Sequence, residues 1–144
     1  MVRKNTIHEN NVASAALSAE ACHLLTGSRD NTAKIYRHMA DGSWETITTI
    51  PHESWVNATV FSLDGEHALT ASRDGTAKIY SLGCDGSWSE KACLSHDGWV
   101  QSASFSDDGS YVVTAGGHMV KITELKRSDL LPASPLFQRI CTIL

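Results

Sequence analysis

With 144 residues, 42% hydrophobic and 19% charged, the chain has the size and balance of one soluble globular domain, long enough to bury a core. Its net charge of -4 offers no electrostatic attraction to nucleic acid or to an anionic membrane, so neither is expected as a partner. No apolar run approaches the ~20 residues that span a bilayer, and the basic start MVRKN has no apolar core behind it, which excludes a secretory signal.

In chain order, Val2 to Ile7 reads as an outer strand lying before the first complete unit. A short strand is predicted over Val12 to Leu17, matched later by Val56 to Phe61 and Val100 to Phe105. Within it the apolar ends Val12 and Leu17, Val56 and Phe61, Val100 and Phe105 stand five residues apart. On a period of two that odd offset sends them to opposite faces, so both faces need cover. A turn follows, weak at Ser18 to Ala21 but explicit as Asp64-Gly65 and Asp108-Gly109, where Asp bonds its own backbone and Gly supplies a positive φ. The second strand covers His23 to Gly27, His67 to Ser72 and Tyr111 to Ala115. The turns Arg29-Asp30-Asn31 and Arg73-Asp74-Gly75 lead to a third strand at Thr32 to Tyr36 and Thr76 to Leu82. After Asp41-Gly42 and Asp85-Gly86 come polar outer strands, Trp44 to Ile50 and Trp88 to Leu94, each anchored by its Trp. The last stretch, 126–144, breaks the pattern. Pro132 and Pro135 forbid a continuous helix, and the stretch is an outer strand for the last blade, a partner-binding peptide, a sequence unrelated to the array, or disordered.

The elements recur. Thr26, Ser28, Arg29, Asp30, Thr32, Ala33, Lys34, Ile35 and Tyr36 fall on Thr70, Ser72, Arg73, Asp74, Thr76, Ala77, Lys78, Ile79 and Tyr80 at a shift of 70 − 26 = 44 residues. The same shift carries Trp55, Val56, Phe61, Gly65 and Thr70 onto Trp99, Val100, Phe105, Gly109 and Thr114, and relates His8, His52 and His96. A fixed period of this length is the mark of a propeller or solenoid array. Four short strands per period describe one propeller blade. The expected fold is all-β: three four-stranded antiparallel blades in an open arc or partial β-propeller, with units of about 8–51, 52–95 and 96–125.

The stretch HESWVNATVFSLDGEHALTASRDGTAKIY resembles a WD-repeat unit: a His before the first strand, a W-V start, an F-S-x-D-G turn, a T-A-S-x-D-G turn and a third strand ending K-I-Y. The likeness covers residues 4–125, with Tyr36 and Tyr80 in place of the family Trp and a third copy one residue short at Ala115-Gly116-Gly117-His118. It implies a structural hydrogen-bond network of His8, Ser28, Asp30 and Tyr36, and again of His52, Ser72, Asp74 and Tyr80, pinning the loop before the first strand to the turn after the second. It also implies that the rim carrying Trp55 and Trp99 is a binding face. The alternative for each Trp is packing on the neighbouring blade. Arg29 and Arg73 stand in turns on that face, either as part of the surface or as solvated turn residues.

A hydrolase reading of the His/Ser/Asp sets needs one exposed nucleophile beside a base, and two copies 44 residues apart point to structure instead. Equivalent histidines on separate blades do not converge on one metal ion, and the Asp-Gly pairs lack a calcium-loop spacing. No cofactor or metal is expected. Cys22, Cys84, Cys93 and Cys141 form no CxxC and read as small core thiols in a reducing, cytoplasmic compartment. The chain is expected to be a non-enzymatic scaffold for a protein or peptide partner. The alternatives are a fragment of a longer propeller with no separate activity and, less favoured, a Ser/His/Asp hydrolase. Three blades leave sheet faces exposed at both ends, and a homodimer closing a six-blade ring, each copy giving residues 2–7 to the other's third blade, meets that demand.

Overall fold

The computed structural model describes residues 8–125. Eleven strands follow one another there: β1 (Val12–Leu17), β2 (His23–Ser28), β3 (Thr32–His38), β4 (Trp44–Pro51), β5 (Val56–Phe61), β6 (His67–Ser72), β7 (Thr76–Leu82), β8 (Trp88–Ser95), β9 (Val100–Phe105), β10 (Tyr111–Gly116) and β11 (Met119–Glu124). They form three antiparallel sheets, β1-β2-β3-β4, β5-β6-β7-β8 and β9-β10-β11, each a meander in which sequence neighbours pair. The third blade therefore has three strands among the described residues. The outer-strand reading of Val2 to Ile7, the residue 2–7 exchange and every reading of the tail 126–144 fall outside them.

Turn chemistry sets the meander. Gly65 and Gly109 adopt φ of 74° and 73°, and Asp64 and Asp108 accept backbone N–H bonds from Glu66 and Ser110. The first blade makes the same turn with Ala21 at φ 57°, its N–H bonded to the Ser18 carbonyl at 2.8 Å as Gly65 bonds Ser62. The turn after the second strand repeats likewise, with Asn31 at φ 71° where Gly75 has 85°. Asn is among the few non-glycine residues that tolerate this region.

The apolar side chains meet between blades rather than within them. One cluster joins Leu25, Ala33, Ile35 and Ile50 of blade 1 to Val56, Phe61, Ala68 and Trp88 of blade 2. The other joins Leu69, Ala71, Ala77 and Ile79 of blade 2 to Val100, Val112, Ala103 and Phe105 of blade 3. Each blade thus has a leading face, set on the blade before it, and a trailing face that receives the next. Each fully buried Leu, Ile or Val contributes about 1.5–3 kcal/mol, so the arc is held by its interfaces.

One expectation is corrected by this packing. Val56 and Phe61 lie on the same face, as do Val100 and Phe105, not on opposite ones. The cause is a bulge at the start of each inner strand: Val56 pairs with Ser72 but Ala58 with Ala71, leaving Asn57 as an extra residue, and the same shift occurs at Val12/Ser14 and opposite Ala115/Gly116. One inserted residue restores even parity. Both faces of blade 2 are nevertheless covered, since Ala58 and Val60 turn to blade 3.

Among the described residues the cysteines are not core thiols. Cys22 and Cys93 are free and exposed, and Cys84 is disulfide-bonded. Trp88 is buried against Phe61 and His23, with ring centroids 5.9 and 5.3 Å away, while Trp44 stacks on His38 at 4.7 Å. Both therefore fasten outer strands.

Candidate partner-binding rim

The rim is positioned by a buried clasp in each of the first two blades. His52, in the loop before β5, places Nδ1 2.9 Å from Asp74 Oδ2 in the β6–β7 turn and Nε2 2.8 Å from Thr70 Oγ1 on β6. A carboxylate can only accept, so Nδ1 carries the proton and Nε2 accepts from the Thr70 hydroxyl. Asp74 further accepts from the Glu53 N–H at 3.0 Å, the Thr76 N–H at 2.8 Å and the Thr76 hydroxyl at 2.6 Å. Burial alone raises the Asp74 pKa, but the bonds from Thr76, Glu53 and His52 outweigh it and hold the carboxyl at about 2. For His52 burial dominates over Asp74's attraction and lowers the pKa, so the ring is neutral. Blade 1 repeats the clasp: His8 Nδ1 lies 2.8 Å from Asp30 Oδ2 and Nε2 lies 2.6 Å from Thr26 Oγ1, with Asp30 also at about 2.

Four predicted members stand elsewhere. Ser28 and Ser72 do not touch the histidines. The Ser72 hydroxyl donates to the Ser54 carbonyl at 3.2 Å and accepts from the Asp74 N–H at 3.1 Å, and Ser28 does the same toward Asn11 and Asp30. Both are fully buried and bonded to loop backbone, so neither is a nucleophile beside a base. Tyr36 and Tyr80 are not in the clasp either. Tyr36 Oη is buried without a hydrogen-bond partner among the described residues. Tyr80 pairs with Ala68, two positions along β6 from Thr70, about 7 Å at strand rise, and a phenol carries its only polar atom at the ring tip. The histidine partners that sequence reasoning missed are Thr26, Thr70 and Thr114. Their recurrence in all three copies was the available signal. In blade 3 only half of the clasp is present among the described residues: His96 Nε2 meets Thr114 Oγ1 at 2.7 Å, and Nδ1 is buried there without a hydrogen-bond partner, since no Asp follows Gly116-Gly117.

The clasp ties the loop that carries Trp55 to the turn that carries Arg73, and the Arg73 N–H donates to the Trp55 carbonyl at 2.8 Å. The result is an alternating stack across three blades. Arg29 Cζ lies 4.3 Å from the Trp55 ring centroid, Arg73 Cζ lies 4.0 Å from Trp55, and Arg73 Cζ also lies 4.2 Å from Trp99. Every gap is within cation–π range, with Arg73 held between two indoles and its Nε buried without a hydrogen-bond partner among the described residues. All four predicted rim residues are thereby brought into one row. Neither Trp belongs to an apolar interblade cluster. The row stops where the repeat departs from itself: Asn11 stands at the Trp position of blade 1 and Gly117 at the Arg position of blade 3. Trp99 is consequently stacked by arginine on one side and is 52% exposed. Asp97 Oδ1 stands 2.9 Å from where a β-carbon on Gly117 would be, so a carboxylate flanks the position of the missing arginine.

Beside the middle clasp a recess of about 420 Å³ is lined by Pro51, His52, Glu53, Asp74, Thr76 and Lys78. Asp74, His52 and Thr76 are already bonded to one another there. Among the described residues no group of three or more His, Cys, Asp or Glu is arranged to hold a metal ion.

Residues 2–37, 44–81 and 88–123 each match the family model described as WD domain, G-beta repeat. The chain belongs to the WD-repeat family. The matches 44–81 and 88–123 each run from an outer strand, β4 or β8, through the first three strands of the next blade. No curated protein matches the chain. WD repeats generally mediate protein interactions.

Proposed function

We propose that this WD-repeat chain is a non-catalytic scaffold whose Arg29–Trp55–Arg73–Trp99 row takes a protein or peptide partner. The observation that carries the reading is the stack itself, ending in an indole that is half open to solvent. Buried groups need no such row, since the apolar clusters already join the blades. Trp and Arg are the residues that most often dominate interface energies, and a stack pre-ordered in the free protein loses little entropy on binding. The partner surface expected there is polar or acidic toward the arginines and basic toward Trp99, where Asp97 adds a negative charge.

The experiment is quantitative affinity capture from cell extract with the wild-type chain and with Trp99→Ala, both checked for native circular dichroism. A set of proteins retained by the first and depleted about tenfold or more with the second supports the reading. Identical capture by the two overturns it.

A further inference from the structure

Among the described residues, five of the seven large apolar side chains that are exposed, Val12, Leu17, Tyr111, Val120 and Ile122, lie on just two surfaces: the leading face of blade 1 and the trailing face of blade 3. They range from 43% exposed for Tyr111 to 70% for Ile122. The repeat makes their intended neighbours legible, because the two interfaces inside the chain are worked examples. At the first, Leu25, Ala33 and Ile35 receive Val56, Phe61 and Ala68. At the second, Leu69, Ala77 and Ile79 receive Val100, Phe105 and Val112. By repeat position the unused trailing residues are Val113, Val120 and Ile122, and the unused leading residues are Val12, Leu17 and Leu24.

The aromatic corner repeats as well. His23 and Phe61 both pack on the Trp88 ring, and His67 packs toward Phe105 in the second interface at 6.3 Å between ring centroids. Tyr111 holds that position in blade 3, and its counterpart is Leu17. The inner-strand bulge gives a polar link: the Asn57 side-chain amide donates to the Val100 carbonyl at 3.3 Å. Gln101 occupies the Asn57 position in blade 3, and Val12 occupies the Val100 position in blade 1.

We propose that a second copy of this chain covers both faces, the trailing face of blade 3 in each copy packing on the leading face of blade 1 in the other. The contact is heterologous and closes because it is made twice, giving one six-blade ring with twofold symmetry. Two copies of the three described blades make six, within the range of about 4–8 blades that propellers have. The proposal is independent of the rim: the Arg/Trp row ends at Asn11 and Gly117, so it does not cross the junction between copies.

The test is the mass of the 144-residue chain in solution by sedimentation or light scattering, for wild type, Val12→Asp/Leu17→Asp and Val120→Asp/Ile122→Asp. The expected wild-type particle has twice the mass of one chain, and each double variant is a folded monomer. Mixing the two variants restores a one-to-one dimer, because each still has one intact face and the two intact faces are complementary. A wild-type monomer, an open polymer, or a mixture that stays monomeric overturns the proposal. Should the charged variants unfold, copies carrying Leu17→Cys and Tyr111→Cys are mixed and oxidised instead. A crosslinked dimer from the mixture, above what Cys22 and Cys93 give in the parent chain, supports the contact, and its absence counts against it.

Discussion

Asp74 Oδ2 and His52 Nδ1, 22 residues apart in sequence, lie 2.9 Å from each other, and that bond fixes where Trp55 and Arg73 meet. The clasp supports the rim: both ring nitrogens of His52 and both carboxylate oxygens of Asp74 bond other fixed groups. Removing Asp74 leaves the His52, Glu53 and Thr76 donors without their acceptor.

Asp74→Ala is therefore expected to destabilise the protein by about 1–3 kcal/mol, the range for losing buried bonds to a charged acceptor. His118→Ala, at an exposed position in the blade that lacks the clasp, is expected to cost less than about 0.5 kcal/mol. Thermal melts of the two variants provide the comparison, and equal shifts would remove the structural role assigned to the clasp. The pH dependence follows in sign. Asp30 and Asp74 are held at about 2 against an ordinary 3.8, so their stabilisation is present above 3.8 and is lost as pH falls from there toward 2. His52 has a lowered pKa, so its contribution is present above 6.5 and declines as the pH drops below that value.

Ala21 occupies a backbone conformation at φ 57° that the other two blades give to Gly65 and Gly109. A left-handed alanine costs roughly 1–2 kcal/mol, part of which glycine forfeits through its more flexible unfolded chain. Ala21→Gly is expected to raise stability by about 0.5–1 kcal/mol, read as a higher denaturant midpoint with unchanged slope. A lower midpoint would show that the turn is not strained.

Much of the fold was open to reading because a propeller blade repeats its punctuation: Asp-Gly turns, a Trp-Val start and the Thr-Ala-Lys-Ile-Tyr strand all recur at one spacing. What stayed hidden depends on geometry that a linear count misses. The bulged residue Asn57 looks like any strand residue, yet it reverses the parity that separates Val56 from Phe61. Ser72 and Thr70 sit two apart on the same face of β6, and only the height of the His52 ring decides that Thr70 takes the bond. The row of Arg29, Trp55, Arg73 and Trp99 was half visible. The sequence offers the residues, but their interleaving across blades needs the sheets stacked.

Glu66 behaves oppositely to the clasp acids. Burial first, then the charges of Asp64 and Glu20, push its carboxyl up from 4.5 to about 7. A raised acid is neutral at no cost below 4.5, and its ionisation weakens the fold progressively between 4.5 and 7. The group is only half buried, so solvent screening reduces the penalty to on the order of 1 kcal/mol. Glu66→Gln is expected to stabilise the protein at pH 8 and to change little at pH 4. A melting shift of the same size at both values would contradict the assignment.

The reading of the rim as a binding surface is tested most directly by one affinity. A partner recovered by the capture experiment is titrated against wild type and Trp99→Ala, with melting curves recorded alongside. The account predicts a loss of about 2 kcal/mol, roughly thirtyfold in Kd, with the melting temperature of the variant almost unchanged, because Trp99 lies outside the apolar clusters. An unchanged Kd, or a variant that loses its fold, would show that the open indole serves the blades and not a partner.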